Sequence, residues 1–344
     1  MIPRTSTGAG RDRTNVPGGK TSAVKAFAIK TLAMAGLAAA LLCAAPFDAW
    51  AARICKPSRT RAPVVLKDMG PCAFDAERAS FAGEPAQQAA CLLRSTNLAR
   101  LGPPLEHIPD TLASRMGQTA GLPDRDALAA LLVELDLAWD FAAFLWQPVS
   151  RARDNDPEAA AARYLVIHDT SGPNLGGRPW PPDLDADPKI NNLARFRCSD
   201  NWELSHVVIN RAGTMLLGHE FAVPWRATKF ERAAAFGTAL KGLFLHVEMI
   251  QPRRHAAQLR RRNDFQAPLP GFTPEQYERL ALVYVIASVR AGSWLIPAFH
   301  APIDDHIRGG HDDPRNFDLE VFAQSLDRLV GRLREAGEPA AFAP

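Results

Sequence analysis

Tyr164-Leu165-Val166-Ile167-His168-Asp169-Thr170 is the stretch whose reading decides the fold of this chain. Four consecutive strand formers with no polar alternation predict a strand buried on both faces. His168 falls where that strand gives way to a loop. Outward from it, Leu243 to Ile250 predicts another buried strand, and this one carries Glu248 in its interior. A carboxylate there must be paired, protonated or bound to a cation, because burying it unsatisfied is costly. Val207-Val208-Ile209, the turn signal Asn210-Arg211-Ala212-Gly213 and the run Thr214 to Leu217 predict a hairpin.

Helices punctuate these strands. In Thr273-Pro274-Glu275-Gln276, Thr273 can cap, Pro274 suits the first turn and Gln276 completes a capping box. Tyr277, Leu280, Ala281, Tyr284 and Ser288 would line the inner face of that helix. A last helix is predicted from about Asp318 to Leu333, with Leu319, Phe322, Leu326, Leu329 and Leu333 inward. Strands mixed with helices in this order predict one central sheet over 156–335, in an α/β domain (a central mixed β-sheet flanked by helices) or an α+β one. Residues 52–150 read as an N-terminal extension of loops and helix. Its main helix is predicted from Asp126 to Trp146, with Leu128, Leu131, Leu132, Leu135 and Trp139 on one face. Arg151 to Glu158, RARDNDPE, reads as a charged linker.

The chain has 344 residues, 47% hydrophobic, with 40 Lys+Arg against 37 Asp+Glu. Collagen-like, coiled-coil and wholly disordered classes are excluded. Arg4, Arg11, Arg13, Lys20, Lys25 and Lys30 stand before position 51 against only Asp12 and Asp48. The remainder therefore holds 34 basic (40 − 6) and 35 acidic (37 − 2) residues, which gives no basis for nucleic-acid binding. The uncharged run Thr31 to Phe47, preceded by lysines and followed by Ala49-Trp50-Ala51, reads as a signal peptide over 1–51. An uncleaved anchor is the alternative. Export to the periplasm or beyond follows, with no stable membrane insertion after cleavage. Cys55, Cys72, Cys91 and Cys198 would then form two disulfide bonds in any of three pairings.

The polar residues cluster at strand ends. Besides His168 and Glu248, the segment from 300 to 313 carries His300, His306, His311, Asp304, Asp305, Asp312 and Asp313. Catalytic zinc takes three ligands from His and carboxylate and keeps a position open for water. A nearby Glu can accept the proton of that water, and a cationic group can steady the developing oxyanion. The Gln251-Pro252-Arg253-Arg254-His255 and Arg260-Arg261-Arg262 runs read as a solvated loop or as a contact for an anionic polymer. Trp180 and Trp225 could stack on sugar rings or pack in the core. His206 could line a cleft or make a structural hydrogen bond. His107, His219 and His255 read as structural or exposed.

In order along 160–330, these segments resemble the zinc-dependent N-acetylmuramoyl-L-alanine amidases of the peptidoglycan-recognition (type-2 amidase) fold. The stretch Tyr164 to Thr170 is similar to their opening strand. Leu204 to Gly213 resembles their S-x-H-x-x-I-x-x-x-G hairpin, and Leu245-His246-Val247-Glu248 their I-G-I-E strand, with His246 in place of Gly. Phe272 to Tyr277 resembles the helix leading to the second zinc histidine, and Ile296 to Ile303 the surroundings of that histidine. His311-Asp312-Asp313-Pro314 resembles their K-x-D-P pattern, with His311 where many members have Lys. The resemblance implies Zn2+ held by His168, His300 and Asp313, Glu248 as general base and acid, and His311 as the group that stabilises the transition state. His300 and Asp313 are 13 positions apart (313 − 300), longer than the family's interval, and His306 lies nearer. Leu295-Ile296 and Ile303 fit His300. The implied substrate is peptidoglycan or a muropeptide, cut between N-acetylmuramic acid and L-alanine by a monomer. A non-catalytic peptidoglycan-binding protein of the same fold is the alternative.

Overall fold

Five strands build the central sheet: β1 (Tyr164–Asp169), β2 (Val207–Ile209), β3 (Met215–Leu217), β4 (Phe244–Met249) and β5 (Ile296–Phe299). Their spatial order is β5-β1-β4-β2-β3. The pairs β5/β1, β1/β4 and β4/β2 are parallel, and only the β2/β3 hairpin is antiparallel. The computed structural model describes residues 66, 72–97, 100–137, 141–196, 205–255 and 265–337. The predicted signal peptide, Cys55, Cys198, Trp139 and Arg260 to Arg262 lie outside the described residues. The helices used below are α1 (Pro85–Leu92), α2 (Arg125–Glu134), α3 (Pro274–Ala291), α4 (His300–Asp304) and α5 (Leu319–Gly337).

Side chains alternate faces along a strand, and register decides which of them meet. Val166 pairs with His246, and His168 with Glu248, so Tyr164, Val166, His168, Phe244, His246 and Glu248 share one face. Leu165, Ile167, Leu245, Val247 and Met249 occupy the other, fully buried in the main apolar core with α3. In α3 the predicted capping box is present. Thr273 Oγ1 accepts from Gln276 N at 3.1 Å, and Gln276 Oε1 from Thr273 N at 3.2 Å. Every residue from Leu280 to Arg290 is buried, because α5 covers the side of α3 turned from the sheet. Phe322, Leu326 and Leu333 face inward as predicted.

Described residues of the 72–150 segment, among them Phe74, Leu92, Leu128 and Val149, belong to the same hydrophobic core as the sheet. Tyr164 Oη accepts from Phe81 N at 2.9 Å and donates to Gln88 Oε1 of α1 at 2.7 Å. A Cys72–Cys91 disulfide, Cα–Cα 5.7 Å, ties this segment together. The predicted long helix ends at Glu134. Asp136 turns left-handed at φ 58°, Leu137 N bonds Leu132 O and Asp136 N bonds Val133 O, a Schellman stop without glycine. The segment 151–158 is a stitched turn and not a free linker. Arg153, Asp154 and Asn155 are all left-handed, Asn155 Oδ1 accepts from Arg151 N, and Ala152 N bonds Ala160 O. Among the described residues no helix is long and apolar enough to cross a membrane.

Candidate metal centre

The carboxyl ends of parallel strands are where α/β sheets place ligands, and here they gather the polar residues. His168 ends its run on β1, Glu248 sits beside it on β4, and β5 delivers His300 as the first residue of α4. His168 Nδ1 and His300 Nδ1 face each other at 2.9 Å. Asp313 Oδ2 lies 3.2 Å from His300 Nδ1 and 3.7 Å from His168 Nδ1. These donor atoms lie within 4.8 Å of one another, and all three side chains are buried. Glu248 Oε1 is 4.0 Å from His168 Nδ1, whereas its Oε2 is buried without a hydrogen-bond partner.

The long interval from His300 to Asp313 is accommodated by a tied-down loop. Gly310 lies so close to Asp304 that a Cβ would meet its carbonyl oxygen at 2.3 Å. Ala301 N bonds Asp313 O at 2.8 Å, and Asp169 N donates to Asp313 Oδ2 at 3.2 Å. The Asp169 carboxylate accepts from Arg315 N at 3.0 Å, and both its oxygens accept from Arg253 Nη2, at 2.7 and 2.6 Å. Thr96, from the N-terminal segment, donates its hydroxyl to Pro314 O at 2.9 Å. Asp313 is thus held from three separate elements.

Electrostatics show what the cluster is suited to hold. Burial, then His300 and His246, push the His168 imidazole well below its ordinary value. At His300 burial acts the same way, but Asp313 and Asp304 outweigh it and hold the ring well above. Asp304, buried but facing His300 Nε2 at 3.1 Å, is brought down to about 2. Burial and the Asp313 charge push Glu248 up to about 8. Among the described residues, no Lys or Arg side chain forms an ion pair with Glu231, Glu248, Asp304 or Asp313, whereas His246, His168 and His300 lie against them. Two converging Nδ1 atoms, a carboxylate and an unpartnered carboxylate oxygen could hold a metal ion. The group His300, Asp304 and His311 also comes together. There, Asp304 serves to orient His300, and is itself held by Phe230 N at 3.0 Å and His311 N at 3.2 Å.

The structure brings together His168, His300, Asp313 and Glu248, and it leaves His306 out. His306 is buried against Phe81 and Phe230. His311 lies at the edge, its side chain 46% exposed and its Nδ1 3.8 Å from Asp313 Oδ1. Burial and His300 lower its pKa. Arg253, read from the sequence as part of a basic loop, is buried on Asp169. Arg254 stacks over Trp180 at 5.3 Å, and Trp225 lies against His219 at 4.0 Å.

Two participants escape the sequence reading. His246 Nδ1 lies 3.1 Å from His168 Nε2, and His246 Nε2 lies 3.3 Å from Glu231 Oε1. Thr228-Lys229-Phe230-Glu231 carried a signal for the second of them. It is a T-x-x-E pattern, and Thr228 and Glu231 do exchange the reciprocal bonds of a capping box. Beside the cluster opens a cavity of about 600 Å³ lined by Lys229, Arg253, Asp304, His311 and Arg315. It adjoins another of about 600 Å³ lined by Trp180, Arg211, Phe265 and Arg315. Compared with known proteins, the chain matches no family model, no curated protein and no solved structure.

Proposed function

We propose that this chain is a zinc-dependent amidase of the type-2 (peptidoglycan-recognition) fold, hydrolysing the amide between N-acetylmuramic acid and L-alanine. One observation carries the reading: His168 Nδ1, His300 Nδ1 and the Asp313 carboxylate converge beside the unpartnered Glu248 Oε2, next to a cavity lined by Asp304 and His311. The sugar–peptide substrate is supported by the resemblance of segments 160–330 to that family. The Cys72–Cys91 disulfide supports an oxidising compartment such as the periplasm.

His168, His300 and Asp313 would hold the zinc, which supplies Lewis-acid polarisation of a carbonyl and acidification of water. Glu248 does the proton work. Its free Oε2 takes a proton from the water that attacks the amide carbon, and returns it to the leaving nitrogen as the C–N bond breaks. The products are a carboxylic acid and an amine. Burial of Glu248 suits this alternation, because it brings the affinity for the proton near neutral pH. His311, half-exposed at the edge of the cluster, would donate a ring N–H to the developing oxyanion.

Digestion of peptidoglycan fragments followed by mass spectrometry tests the reading. Release of free L-alanine-terminated stem peptides by wild type, lost in Glu248→Gln with zinc still bound, is the expected result. Cell-wall binding with no cleavage and no zinc would establish the non-catalytic alternative instead.

A further inference from the structure

Behind His168 runs a polar string that the hydrolytic step does not use. His168 Nε2 meets His246 Nδ1 at 3.1 Å, and His246 Nε2 meets Glu231 Oε1 at 3.3 Å. His246 and Glu231 are wholly closed to solvent. Glu231 Oε2 is committed to three donors, Thr228 N at 3.0 Å, Ala227 N at 3.2 Å and Thr228 Oγ1 at 2.8 Å. His246 is clamped in turn, with its backbone N donating to His206 Nδ1 at 3.0 Å and its ring stacked on His206 at 5.7 Å.

Hydrogen-bond direction propagates along this string. A carboxylate only accepts, so His246 must carry its proton on Nε2 toward Glu231. That leaves His246 Nδ1 as an acceptor, which obliges His168 to place its own proton on Nε2. The lone pair of His168 Nδ1 is then turned toward His300 and Asp313. We propose that Glu231 and His246 are positioning residues that fix the His168 tautomer two rings away, and so make its Nδ1 a metal donor. Partners of this kind tune ligand affinity in metal sites. The consequence for affinity rests on the metal reading above; the tautomer itself does not.

Glu231→Gln replaces one atom and reverses the string. The amide oxygen stays with the Thr228 and Ala227 N–H groups, so the amide NH2 faces His246 Nε2. His246 must then accept there and carry its proton on Nδ1. His168 Nε2 becomes an acceptor in turn, and its proton moves to Nδ1, into the ligand cluster. By contrast, His246→Gln keeps the direction, since its carboxamide can accept from His168 and donate to Glu231. His246→Leu cannot do either.

Long-range 15N NMR of the histidine rings in metal-free protein, paired with chelator competition for Zn2+, tests the proposal. Wild type is expected to show His168 protonated on Nε2. Glu231→Gln is expected to show it on Nδ1, with zinc bound about 10–100-fold more weakly. His246→Gln is expected to bind zinc like wild type, and His246→Leu like Glu231→Gln. Should Glu231→Gln fail to fold, the His246→Gln and His246→Leu contrast decides. A wild-type His168 protonated on Nδ1, an unchanged tautomer in Glu231→Gln, or equal zinc affinities for the two His246 variants would overturn it. Wild-type protein that binds no zinc but shows the expected tautomers would refute the metal reading and leave the relay standing.

Discussion

The two faces of one sheet do opposite jobs. Toward α3, β1 and β4 present Leu165, Ile167, Leu245, Val247 and Met249, all buried and apolar. Toward the cleft the same strands present His168, His246 and Glu248, joined there by His206, His300 and Asp313. One residue of register separates a dry core from a buried polar network. The apolar face holds itself together by packing, which needs no partner outside it. The polar face needs every hydrogen bond, and at Glu248 Oε2 it lacks one. That asymmetry is the physical argument for a cation.

Substitutions on the two faces should therefore fail differently. Glu248→Gln, on the polar face, is expected to lower amide hydrolysis by about 10²–10⁴-fold while leaving the zinc content and the melting temperature of the zinc-bound protein near wild type. Unchanged turnover would break the contrast. Leu245→Ala, on the core face, is expected to cost about 2–5 kcal/mol of stability, with zinc affinity of the folded protein unchanged; denaturant titration with and without zinc reads both. Thr96→Val removes the hydroxyl that holds Pro314. It is expected to cost about 1 kcal/mol and to weaken zinc binding modestly, because the Asp313 loop loses one of its three anchors.

A separate effect is a pH slope. Glu248 is raised from 4.5 to about 8 in the metal-free fold. Between those values the folded state keeps a proton that the unfolded chain has released, so this group makes stability fall as pH rises. Relative to Glu248→Gln, metal-free wild type should lose stability from pH 5 to pH 8, and zinc should flatten the difference. A wild type that gains on the variant across that window would contradict the burial of this carboxylate.

Much of this was legible in the residues. The unbroken run Tyr164–Ile167, the Asn210–Gly213 turn and the Thr273/Gln276 capping box each specify local structure through chemistry that acts within a few positions. The helix from Arg125 ended early because Asp136 adopts a left-handed turn that apolar spacing cannot reveal. His168, Glu248 and the 300–313 loop stand out because polar residues interrupt apolar strands or crowd one loop, and the resemblance singles out His300 and Asp313 within that loop. Glu231 was not, since its value lies in facing His246 across the fold. The role of Arg253 was misread for the same reason, as its partner Asp169 is distant in sequence.

Zinc binding tests the central claim most directly. Equilibrium titration of metal-free wild type and His300→Ala with Zn2+, both shown to be folded, should give one tightly bound zinc per chain in wild type and none in the variant. Wild type without a tight site, or His300→Ala binding zinc as tightly, would contradict the account.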